Sequence, residues 1–139
     1  MRVPLTIGLL AALCGCSAAS RTQNDTGATA PSLAGRWSGS SAGLSVSLTL
    51  EQTADSVTGT GTFTTSPNSS MGCGGETLPA SGPVTMSGKL TGSDLQARVT
   101  FAGTWSPPYA GTLAAKDSIA GHFMSIDRGG CPLSLVRER

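Results

Sequence analysis

At 139 residues, with 38% hydrophobic but only 4% aromatic side chains, the chain can bury one modest core and leaves no length for a second domain. Charged residues make up 12%, and 9 basic against 8 acidic side chains give a net charge of +1, which excludes the electrostatic footprint of a nucleic-acid binder. The 19 glycines and 8 prolines, among many Ser and Thr, favour short strands joined by turns over helices.

The chain opens with Arg2 and an apolar run from Val3 to Leu13, followed by small residues, the pattern of a secretory signal peptide over residues 1–15. The run is far short of the roughly 20 apolar residues that a spanning helix needs. Its end, Leu13-Cys14-Gly15-Cys16, resembles the bacterial lipobox, with an apolar residue at −3, a small one at −1 and then the cysteine that is lipidated. Cys16 fits that pattern, whereas Cys14 would place Leu13 at −1. Ordinary signal-peptide cleavage is the alternative. The resemblance implies a lipoprotein of the bacterial envelope, held in the membrane by palmitate-type acyl chains on Cys16. Ser17 in place of Asp resembles proteins sent on to the outer membrane of Gram-negative cells. Residues 16–32 carry the lipid and read as a flexible tether without hydrophobic period, and residues 33–139 form the domain.

From there the pattern is period two. After an initial strand at Trp37, apolar or small residues alternate with polar ones at Leu44–Leu50, Val57–Phe63, Val84–Leu90, Leu95–Phe101, Tyr109–Leu113 and Ile119–Phe123, and Leu133-Leu135 opens an eighth strand. Tight turns at 52–55, 92–93 and 115–117 alternate with connections at 41–42, 66–82, 102–108 and 127–131, most of them longer. Such alternation predicts a meander with one end closed by turns and the other dressed with loops. Eight strands of this kind close into a barrel or pack as a sandwich. Gly35-Arg36-Trp37 resembles the Gly-x-Trp signature of lipocalins and the wider calycin group, in which an Arg from the last strand packs over the Trp. Arg137 has the right parity for that stack. The resemblance implies an all-β, eight-stranded antiparallel up-and-down barrel.

Cys73 and Cys131 both fall at the looped end, and in an oxidising compartment they are expected to form a disulfide rather than a metal site. No catalytic constellation is legible, so the protein is not read as an enzyme and no cofactor or metal is expected. His122 has outward parity, Asp55, Asp94 and Asp117 sit at turns, and the glycines around Cys73 lack the Lys-Ser/Thr of a phosphate loop. Trp105-Ser106-Pro107-Pro108 reads as a stiff loop over the barrel mouth. Inward parity gathers Phe63, Met86, Phe101, Tyr109 and Phe123, and glycines at 59, 61, 88, 111 and 121 are expected either to leave space between them or merely to allow a tight, strongly coiled small barrel. The resemblance to lipocalins then implies a monomeric binding module for a small apolar ligand, entered from the looped end with the Tyr109 hydroxyl orienting it. An envelope protein inhibitor acting through its loops, and a structural lipoprotein with a filled barrel, are the alternatives.

Overall fold

The computed structural model describes residues 31–41, 43–67, 77–124 and 131–139. The expected signal peptide, Cys14, Cys16, the expected tether up to residue 30 and the glycine-rich segment around Cys73 lie outside them. Nine strands follow in chain order: β1 (Gly35–Ser41), β2 (Leu44–Thr53), β3 (Ser56–Thr65), β4 (Ser81–Thr91), β5 (Asp94–Phe101), β6 (Pro108–Ala115), β7 (Ser118–Phe123), β8 (Cys131–Pro132) and β9 (Leu135–Arg137). Each of β1 to β7 pairs antiparallel with the next. The β8 and β9 pieces both pair with β7 in one register, Pro132 opposite His122 and Leu135 opposite Ile119, so they are two parts of an eighth strand. Pairing of Trp37 with Arg137 and of Ser38 with Val136 joins β9 to β1 and closes the ring. The protein is therefore a closed eight-stranded antiparallel up-and-down barrel of calycin-like architecture.

The alternating sequence sets this arrangement directly. Along β2 burial alternates without a break from Leu44 to Glu51, with Leu44, Val46, Leu48 and Leu50 inside and serines, threonine and glutamate outside. A one-residue slip would turn that whole apolar set to water, which is what pins the register. The β2–β3, β4–β5 and β6–β7 connections are two-residue turns at one end, with Thr53 opposite Ser56, Thr91 opposite Asp94 and Ala115 opposite Ser118. The last of these follows a bulge between Leu113 and Ala115. The β1–β2 connection at the other end is equally short, since Ser41 pairs with Leu44, while the remaining connections there are long.

The last strand departs from the expected span. It begins at Cys131, which the sequence reading placed in the preceding loop, and its pairing lapses at Leu133-Ser134 before resuming. The Leu133 N–H still donates to the Gly121 carbonyl at 2.8 Å. Opposite the lapse, the β1 glycine Gly39 has its missing Cβ position only 2.3 Å from the Ser134 carbonyl. The eighth strand thus leans under β1 toward the barrel interior, and only a residue without a Cβ lets it pass.

Candidate functional site

At the turn-closed end the Gly-x-Trp segment, the last strand and the residues just before β1 form a clasp. Trp37 is fully buried and its indole Nε1 donates to the Leu33 carbonyl at 2.8 Å, while the Leu33 N–H donates to Gln52 Oε1 at 2.7 Å. The Leu33 side chain, also fully buried, plugs this end of the barrel. The Arg137 guanidinium carbon lies 4.7 Å from the centre of the Trp37 ring, within cation–π range. Its Nη1 donates to the Ala34 carbonyl and its Nη2 to the Ser32 carbonyl, and its Nε stands 3.3 Å from Asp117 Oδ1 in the β6–β7 turn. Arg139 reaches the other carboxylate oxygen of Asp117 at 3.5 Å. Gly35 completes the motif for a physical reason: its φ of +133° suits glycine alone, and a Cβ there would stand 2.9 Å from Arg137 Nη1. Ser32, read from sequence as the end of the tether, is already fastened to the barrel.

The inward positions expected to line a ligand cavity do face inward. Phe63, Met86, Phe101, Tyr109 and Phe123 are all buried, none more than 3% exposed. The aromatic ones pack against one another. Phe63 and Phe101 meet edge to face at 5.3 Å, Phe101 and Phe123 at 5.7 Å, and Tyr109 and Phe123 at 5.5 Å. Trp105, half-buried in the β5–β6 connection, stacks on Phe101 at 5.2 Å and covers the cluster from the looped end. Its carbonyl accepts from the Phe101 N–H at 2.7 Å, so the loop is fastened as a short hairpin extension.

The expected free space at the inward glycines is absent, and this corrects the sequence reading. A Cβ at Gly61 would lie 1.8 Å from the Ser47 carbonyl oxygen, one at Gly88 2.2 Å from that of Gln96, and one at Gly59 2.4 Å from Leu50 Cδ2. At Gly111 the Ile119 side chain comes within 2.7 Å, and at Gly121 the Tyr109 hydroxyl within 2.0 Å. The glycines mark close approach of neighbouring strands and side chains in a tightly coiled barrel. Tyr109 is corrected as well. Its hydroxyl does not point to an open mouth but donates at 2.8 Å to the Leu133 carbonyl, where the eighth strand leaves its ladder. Burial drives its pKa well above the usual tyrosine value.

Concavities open to solvent are found among the described residues on the outer wall and at the turn-closed end. One of about 560 Å³ lies on the outer wall, floored by Ser38, Ser40, Ser45 and Ser47 and flanked by Thr62 and Val136. Another, about 580 Å³, lies at the turn-closed end between Pro31, Gln52, Leu90 and the β2–β3 and β4–β5 turns. His122 is exposed, opposite Ala110 and Pro132. The turn carboxylates have structural partners: Asp55 faces Lys89 at 3.6 Å, Asp94 accepts from the Thr112 hydroxyl at 3.2 Å, and Asp117 serves the clasp. Among the described residues no polar or charged residue is buried, and no three of His, Cys, Asp and Glu gather as metal ligands. Cys131 is half-buried at the start of β8, and its expected partner Cys73 lies outside the described residues.

The sequence reading missed Leu33, Gln52 and Asp117 as members of the clasp and Gly39 as the place where the last strand crosses. For Asp117 a signal existed, since a meander puts the β6–β7 turn beside the end of the eighth strand. No protein-family model, curated protein or solved structure matches this chain.

Proposed function

We propose that the protein is a lipid-anchored lipoprotein of the bacterial envelope, outer membrane in a Gram-negative cell, working as a non-catalytic binding module through its outer surface and looped end. The filled barrel is its scaffold. The observation that carries this reading is the state of the five inward glycines: a Cβ at Gly59, Gly61, Gly88, Gly111 or Gly121 would meet a neighbouring strand or side chain. A small apolar ligand enclosed in the barrel, the reading implied by lipocalins, loses its main support with them. The aromatic cluster under Trp105 likewise occupies the route from the looped end. A Cys73–Cys131 disulfide would tie two connections of that end together.

Native mass spectrometry of the protein extracted from its own envelope tests both parts. The expected mass is that of the chain from Cys16 with its acyl chains and no stoichiometric small molecule. A retained small ligand overturns the filled scaffold, and an unacylated N-terminus overturns the anchor.

A further inference from the structure

The clasp fixes where the tether leaves the barrel, and this has a directional consequence. We propose that the barrel stands with its turn-closed end toward the lipid headgroups and its looped end away from the membrane, a direction set by Arg137 holding Ser32 and Ala34. This inference rests on the reading of Cys16 as the lipid anchor.

Three observations carry it. Pro31 lines the same concavity as Gln52, Leu90 and the turns at Ala54-Asp55 and Gly92-Ser93, so the chain enters the fold at the turn-closed end. Entry there is held by the buried Leu33 side chain, by Gln52 and by the guanidinium, so the exit cannot swing along the barrel wall. The third observation is charge. Every described Lys, Arg, Asp and Glu except Arg98 lies within three residues of a two-residue turn at this end or in the terminal segments that meet it, while Glu76, Asp127 and Arg128 of the looped-end connections lie outside the described residues. Five are basic and five acidic. A rim of that kind is well solvated in a zwitterionic headgroup layer and is not repelled by an anionic one. Strands of this length place the two ends of the barrel on the order of 30 Å apart. The looped end, with Trp105 and the exposed Met124, then faces away from the lipid, where a soluble or membrane-bound partner can reach it.

The test uses the lipidated full chain in vesicles of phosphatidylcholine and phosphatidylglycerol containing a headgroup spin-labelled lipid. A fluorophore is attached at Ser93→Cys in the β4–β5 turn or at Thr104→Cys in the β5–β6 loop, both exposed positions. Flotation comes first: chain that does not float with the vesicles lacks the anchor, which overturns the anchor and this inference together. For chain that floats, the expected result is quenching several-fold stronger at position 93 than at position 104. Equal quenching, or stronger quenching at position 104 as a looped end dipping its Trp and Met into the interface would give, overturns the orientation and leaves the anchor standing.

Discussion

Arg137 joins several parts of the fold, because one guanidinium stacks on Trp37, caps two carbonyls of the entering chain and faces Asp117. Lysine cannot reproduce that fork. Arg137→Lys is therefore expected to lower stability by about 2 kcal/mol, close to the loss in Arg137→Ala, as read by urea denaturation. Gly35→Ala should cost a similar amount, about 2 kcal/mol, from the strained φ and the displaced guanidinium. Tyr109 is the single tyrosine, so its ionisation can be followed by absorbance without ambiguity. Because burial raises its folded pKa above the unfolded value of about 10, the neutral hydroxyl contributes fully below pH 10, and stability falls as pH rises above it, when unfolding releases a proton. Tyrosinate absorbance should appear only with unfolding, and Tyr109→Phe should remove this alkaline loss while forfeiting about 1 kcal/mol of hydrogen bond to Leu133. Tyrosinate forming in the folded protein near pH 10 would refute the buried hydroxyl.

At the scale of strands, the sequence reveals most where one face is wet and the other dry. The alternation in β2, β4 and β5 and the turn residues between strands place both registers and connections, since period two is what a half-buried strand requires. The eighth strand escapes this logic. Pro132 argues against a strand, yet it sits where pairing continues only on the β7 side, so its missing N–H costs no ladder bond. The crossing beneath β1 depends on Gly39 against Ser134, 95 positions away, and on the Leu133 carbonyl that Tyr109 caps from 24 positions away, contacts that no local pattern encodes. Gly39→Val should consequently expel Leu133-Ser134 and speed amide exchange at Leu133 and Arg137, whose N–H groups bond Gly121 and Asp117, while the β2–β3 hairpin stays protected. Unchanged exchange at both amides would contradict the crossing.

For the molecule as a whole, the candidate site was only half legible. Parity sorted the aromatic residues correctly to the interior, because facing is a local property. Whether glycines among them leave a void depends on how tightly the barrel coils, which is set by strands distant in sequence. The coiling brings a neighbouring strand or side chain against each of these glycines. If Cys73 and Cys131 are joined, the loop they close spans about 59 residues, and reduction should lower stability by about 4 kcal/mol without opening the barrel's aromatic cluster. The central claim is that this barrel is a scaffold rather than a container, and the most direct measurement is titration of anchor-free protein with a fluorescent fatty-acid analogue. A filled interior predicts no saturable uptake at micromolar concentrations, whereas one-to-one saturable binding quenched by Trp105 substitution would contradict it.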